Sequence, residues 1–147
     1  MATADLADPD RPLRQEAPAA EHPEILLEQG FNDDNLYGVR AAVAAHAATL
    51  ATERAVDTIV LIAHELASNA VRHGGGAGRL RLWVADGALH CEVSDDGAGL
   101  ENPAGAGHSR PAPSLPGGRG LWIARQLSEL HVVTSPAGTT ITATLPL

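Results

Sequence analysis

Residues 64–73 read HELASNAVRH and close the most regular helical pattern in the chain. Apolar residues recur at steps of three and four from position 53 to position 73, which predicts a long amphipathic helix that ends at consecutive glycines. At about 100° per residue, Glu65, Asn69 and Arg72 fall together on the side opposite the apolar stripe. The helix therefore offers a carboxylate, an amide and a guanidinium on one polar face.

Patterns on both sides of this helix predict an α/β fold. Two alternating apolar segments separated by Asp86 and Gly87 are typical of a β-hairpin. A stretch over residues 97–118 is rich in glycine and proline and too long for an ordinary connection, which predicts a flexible functional loop or lid. The predicted helices span residues 34–50, 53–73 and 120–130, and the predicted strands span residues 24–30, 79–84, 89–93, 131–135 and 139–145.

Length and composition predict one domain in a reducing compartment. The chain has 147 residues, enough for one hydrophobic core, and aromatic residues make up only 3%, so the core is expected to be aliphatic. Residues 1–23 lack periodicity and predict a disordered arm, followed by one domain over residues 24–147. The single cysteine, Cys91, the absence of a signal-peptide pattern and the lack of any segment near the roughly 20 apolar residues of a membrane span favour the cytoplasm.

Charge and missing residue types exclude several functions. The net charge is −8 and all ten basic residues are arginines, so direct binding to a nucleic-acid backbone is disfavoured. The lack of lysine excludes a Walker A phosphate loop and a Schiff-base enzyme. His64 and Glu65 resemble the start of a zinc-protease helix, but Ser68 stands where the second histidine is required.

Two glycine-rich segments, in addition to the polar helix face, supply groups suited to bind a nucleobase and phosphates. Asp95 follows a strand and can accept a hydrogen bond from an exocyclic amine, while Gly97 and Gly99 let a flat base approach the backbone. Gly118 and Gly120 precede a helix, whose N-terminal N–H groups attract phosphates. Glu65 can orient a hydroxyl, and the Asn69 amide oxygen can hold a divalent cation.

These motifs, in this order, resemble those of the GHKL ATPases, which include gyrase-type topoisomerases, ninety-kilodalton chaperones, histidine kinases and anti-sigma-factor serine kinases. The resemblance covers residues 24–147 and implies a Bergerat-type two-layer sandwich, with a mixed, mostly antiparallel sheet covered on one face by about three helices. It implies ATP and Mg²⁺ as cofactors. By resemblance, Glu65 is the general base, Asn69 the Mg²⁺ ligand, Asp95 the acceptor for the adenine amine, and Thr140 a second contact beside Asp95. The other nucleotide-binding residues implied by the resemblance are Arg72, Gly97, Gly99, Gly118, Gly120 and Leu121.

Within this superfamily the chain most resembles the stand-alone bacterial anti-sigma-factor kinases. Only about 23 residues precede the expected domain and the chain stops at its last strand, where other branches carry further domains. That resemblance implies a cytoplasmic homodimer that binds a sigma factor and phosphorylates a serine or threonine of an anti-anti-sigma antagonist. Two alternatives stay open: a nucleotide-dependent protein-binding module without kinase turnover, and a detached histidine-kinase catalytic domain.

Overall fold

The structure is a computed structural model that describes residues 25–97 and 119–147. The predicted arm over residues 1–23 and nearly all of the predicted lid over residues 97–118 lie outside the described residues. The helices are α1 (Leu36–Ala47), α2 (Glu53–His73) and α3 (Arg119–Leu127). The strands are β1 (Ile25–Asn32), β2 (Ala77–Ala85), β3 (Ala88–Asp95), β4 (Glu129–Ser135) and β5 (Gly138–Pro146).

Helix α2 has the bounds that its periodicity predicted. Thr52 caps its start, where the Thr52 hydroxyl oxygen accepts a hydrogen bond from the Ala55 N–H at 3.2 Å. At its end the Gly74 N–H donates to the Ala70 carbonyl oxygen at 2.7 Å. Its apolar stripe is buried at Ile59, Ile62, Ala63, Leu66, Ala67 and Ala70.

The five strands form one antiparallel sheet in the order β1-β2-β3-β5-β4. Asp86 and Gly87 join β2 to β3 with positive φ angles of 54° and 74°, as a two-residue hairpin turn requires. The prediction of a mixed sheet was wrong for the described strands, because every pair among them is antiparallel. Sequence alternation gives the face of each residue but not the direction of its neighbouring strand, so it could not decide this point.

The helices and the sheet enclose one aliphatic core. Along β2 and β3, buried Leu80, Leu82, Leu89, Cys91 and Val93 alternate with more exposed residues, so one face of the sheet packs against the helices. This arrangement confirms the predicted two-layer α/β sandwich. Helix α3 ends before its predicted limit, because residues 129 and 130 already belong to β4. Among the helices that the structure describes, none combines the length and the apolar character needed to cross a membrane.

Candidate functional site

The polar face of α2 meets the beginning of α3. Glu65 and Asn69 are both partly buried and lie one helical turn apart. Gly120, the second residue of α3, lies directly against Glu65: a Cβ atom built on Gly120 would stand 2.8 Å from Glu65 Oε1 and 3.4 Å from Glu65 Cβ. The first turn of α3 therefore lies beside the Glu65 carboxylate.

Asp95 is the last residue of β3 and lies beside the C-terminal end of α2. The Gly97 N–H donates a hydrogen bond to Asp95 Oδ1 at 2.8 Å. The opposite side of the carboxylate lies against Gly74, since a Cβ atom on Gly74 would overlap Asp95 Cγ and Oδ2. The sequence indicated Gly74 only as the end of a helix, and no local signal predicts its contact with Asp95. A cavity of about 360 Å³ opens beside this contact. It is lined by Gly74, Gly75, Ala77, Gly78, Arg79, Ser94, Asp95 and Asp96.

The neighbour of Asp95 on β5 is Thr139 rather than the predicted Thr140. Asp95 pairs with Thr139, whereas Thr140 pairs with Ser94. Thr139 is 5% exposed and shares the buried face with Ile141, and its hydroxyl lies 2.8 Å from the Thr134 hydroxyl. The assignment of Thr140 beside Asp95 was therefore wrong by one residue, which in a strand means the opposite face. The alternation of buried Ile141 and Ala143 was the sequence signal that could have found Thr139.

The two carboxylates lie at different levels along α2: Glu65 is midway along the helix, and Asp95 of β3 lies beside Gly74 at the end of the helix. Glu65 and Gly74 are nine positions apart, which corresponds to about 13 Å at the rise of about 1.5 Å per residue of an α-helix. The geometry thus combines an acceptor for an amine, a carboxylate suited to proton transfer and a helix N-terminus suited to phosphate.

The remaining predicted residues lie in different places. Arg72 is exposed and lines a separate cavity of about 380 Å³ together with Tyr37 and His64, on the side of α2 that faces α1. Leu121 was predicted to bind nucleotide, but it is 4% exposed and belongs to the core, so its side chain packs inside the protein. Gly99 and Gly118 lie outside the described residues.

The side chain of Asn69 is of a type that suits Mg²⁺ bound together with a nucleotide. Within residues 25–97 and 119–147, no group of three or more His, Cys, Asp or Glu side chains is placed to hold a metal ion. Mg²⁺ is commonly bound by one or two protein oxygens together with substrate phosphates and water, and one amide oxygen suits that arrangement. Asn69, with Glu65 one turn away, is the residue that would hold the ion.

A family comparison agrees with this geometry. The model of the histidine kinase-like ATPase domain matches residues 31–145, which include α2, Asp95, Gly120 and Thr139. The chain belongs to this family. The matched range contains the three helices and the polar face of α2, together with β2, β3, β4 and nearly all of β5. A sequence comparison with curated proteins finds no match.

Two solved structures from Erythrobacter litoralis resemble this ATPase domain. The first is the histidine kinase domain from the EL346 blue-light activated histidine kinase, with 22% identity and a TM-score of 0.52, covering 74% of this chain and 65% of that one. The second is the EL346 blue-light activated histidine kinase, with 28% identity and a TM-score of 0.49, covering 63% of this chain and 31% of that one. This chain therefore spans less than two thirds of each, and the first likeness supports the fold.

Proposed function

We propose that this domain binds ATP with Mg²⁺ and transfers the γ-phosphate to a serine or threonine of a partner protein. One observation carries the proposal: Glu65 on α2 lies against the start of α3, and Asp95 on β3 lies against Gly74 at the C-terminal end of α2. Membership of the histidine kinase-like ATPase family supports a nucleotide as the ligand.

Asp95 supplies recognition of the base. A carboxylate group has about four lone-pair sites, so Asp95 can accept the Gly97 N–H and still accept a hydrogen bond from the adenine amine. Because the carboxylate is partly buried between Gly74 and Gly97, its orientation is set before the nucleotide arrives. Such a preorganised acceptor favours adenine over a base that has an oxygen in place of the amine.

Glu65 supplies the base for the transfer. The acceptor hydroxyl gives its proton to the Glu65 carboxylate while its oxygen bonds to the γ-phosphorus, and the bond from that phosphorus to the bridging oxygen breaks to release ADP. The N–H groups in the first turn of α3 lie beside Glu65 and stabilise negative charge on the phosphoryl oxygens. Mg²⁺ held through Asn69, when bound, neutralises phosphate charge.

We further assign the acceptor to an anti-anti-sigma antagonist, with a sigma factor as second partner and a cytoplasmic homodimer as the acting form. The support is the resemblance of the motifs to those of stand-alone anti-sigma-factor kinases. Transfer to histidine is a second candidate, favoured by the similarity to the histidine kinase domain of the EL346 blue-light activated histidine kinase. A nucleotide-dependent binding module without turnover is the remaining alternative.

Calorimetry with ADP and a non-hydrolysable ATP analogue, with and without Mg²⁺, tests the nucleotide site. Wild type is expected to bind both, and Asp95→Asn to bind at least about tenfold more weakly, as the loss of a hydrogen bond to a charged acceptor predicts. Asp86→Asn is the matched control, because Asp86 is an exposed acid in the β2–β3 turn and does not line the cavity beside Asp95. Folded wild-type protein that binds neither nucleotide would refute the proposal.

Labelled ATP then separates the three functions. Acid-stable label on a partner protein supports the serine/threonine kinase, and acid-labile label on a histidine-bearing partner supports the histidine kinase. Nucleotide-dependent co-elution of a partner without label supports the binding module.

A further inference from the structure

Three glycines from separate segments surround Asp95, and we call Gly74, Gly97 and Gly138 the glycine collar. A Cβ atom built on Gly97 would stand 3.1 Å from Asp95 Oδ1, and one on Gly138 would overlap the Asp95 main-chain oxygen. A Cβ atom on Gly74 would overlap Cγ and Oδ2 of the carboxylate itself. A Cβ atom would therefore overlap the carboxylate at Gly74, overlap the main chain of Asp95 at Gly138 and crowd Oδ1 at Gly97.

Two members of the collar, Gly138 and Gly97, must be glycine for reasons that do not involve the Asp95 carboxylate. Gly138 has a φ of 152°, which L-residues rarely adopt, and a Cβ atom on Gly97 would approach Gly74 Cα at 2.7 Å. Gly74 differs from both. Its φ of −110° and ψ of 27° are accessible to any residue, so its own backbone does not require glycine.

The side chain that Gly74 lacks would occupy the space of the Asp95 carboxylate. Two groups exclude a Cβ atom at this position: the carboxylate, which it would overlap, and the Ala70 carbonyl oxygen, from which it would stand at 2.7 Å. Only the first is a functional group of the site. Because Gly74 follows directly on α2, the end of that helix forms one wall of the space that holds Asp95.

We propose that Gly74 is a positioning residue that fixes the Asp95 carboxylate for recognition of the adenine amine, which rests on the proposed function. The Gly97 N–H holds Oδ1 by a hydrogen bond at 2.8 Å, and the end of α2 bounds the space on the side of Oδ2. A methyl group at position 74 displaces the carboxylate, and its remaining lone pairs no longer point where the amine must lie.

The functional test compares ADP with inosine diphosphate, which has an oxygen in place of the amine. Gly74→Ala is expected to lower the ratio of ADP affinity to inosine diphosphate affinity by about tenfold or more, as the loss of one charged hydrogen bond predicts. Gly38→Ala is the matched control, because a Cβ atom on Gly38 meets no atom within 4 Å. A Gly74→Ala protein that binds ADP with an unchanged ratio overturns the proposal.

The structural test is a double-mutant cycle in urea without nucleotide. Gly74→Ala is made in the wild type and in Asp95→Ala, which lacks the carboxylate. The contact of the new methyl group with Ala70 is present in both backgrounds, so it does not contribute to the difference between them. The shift in the urea midpoint is expected to shrink by about half or more in the Asp95→Ala background, because directly contacting groups couple. An equal shift in both backgrounds overturns the proposal.

The double-mutant cycle also gives a result if the Gly74→Ala variant does not fold or if the wild type does not bind nucleotide. If Gly74→Ala alone is unfolded, regained folding in the double variant supports the proposal, and continued unfolding overturns it. If wild type binds neither nucleotide, the proposed function fails, and the cycle alone decides whether Gly74 fixes the Asp95 carboxylate.

Discussion

Thr139 and Thr140 are adjacent residues of the same type that lie on opposite faces of β5, which makes them a natural matched pair. Thr139 lies opposite Asp95 and beneath the helices, and Thr140 lies opposite Ser94 on the other face. Replacing each in turn with valine keeps the β-branched shape and removes only the hydroxyl. Any difference between the two variants therefore reports what the hydroxyl does on each face.

The expected magnitudes follow from the contacts of the two hydroxyls. Thr139 is 5% exposed and exchanges a hydrogen bond with Thr134 at 2.8 Å, so Thr139→Val is expected to lower the free energy of unfolding. A neutral hydrogen bond contributes about 0.5–1.5 kcal/mol. Since Thr140 is partly exposed, Thr140→Val is expected to change stability by less than about 0.5 kcal/mol.

For the nucleotide, we expect Thr139→Val to weaken ADP binding about fivefold, the equivalent of about 1 kcal/mol, because the hydroxyl beside Asp95 is lost. Urea unfolding followed by fluorescence measures stability, and calorimetry with ADP measures affinity. The reasoning from strand register is refuted if Thr140→Val weakens ADP binding as much as Thr139→Val does. It is equally refuted if only Thr140→Val destabilises the fold.

Three further predictions concern the base, the cysteine and the core. Glu65→Gln is expected to slow ADP formation from ATP by about 100-fold or more while ADP affinity by calorimetry stays near that of wild type, because it removes a proton acceptor and keeps the shape. Burial, and then the charge of Glu92, raise the pKa of Cys91 from 9.0 to about 12. Iodoacetamide at pH 8 should therefore label native protein far more slowly than urea-unfolded protein. The contribution of Cys91 to stability should be fully present below pH 9 and be lost as the pH rises toward 12. Leu80→Ala is expected to cost about 2–5 kcal/mol in urea unfolding, against less than about 0.5 kcal/mol for Val133→Ala on the exposed face.

The parts of the fold that sequence predicted well are those fixed by local rules. Helix α2 has a strong 3.6-residue period between a Thr52 cap and Gly74, so both of its ends carry their own signals. The β2–β3 hairpin has Asp86 and Gly87 at the two positions that require positive φ. In both cases the residues that decide the structure are neighbours in the chain.

The parts that it predicted less well depend on contacts between distant segments. Alternation along β5 places Thr139, Ile141 and Ala143 on one face, but only the pairing with β3 shows that Thr139 lies opposite Asp95. The order of strands and their wholly antiparallel arrangement are likewise properties of the assembled sheet. The motif alone led to Thr140. A motif specifies the order of residue types along the chain, but it does not specify the face of the sheet on which a residue lies.

The two carboxylates of the site, Glu65 and Asp95, are accommodated in the same way. Glu65 lies against Gly120 of α3, and Asp95 lies against Gly74 at the end of α2. In each case a glycine from another segment leaves the space that the carboxylate occupies. A carboxylate flanked by backbone is held by a rigid wall, whereas one flanked by a long side chain would share that chain's rotamer freedom. It follows that the glycines serve the precision of the site as much as the approach of a ligand. Substitutions at Gly74 and Gly120 should therefore alter recognition and transfer respectively, since each glycine lies against a different acid.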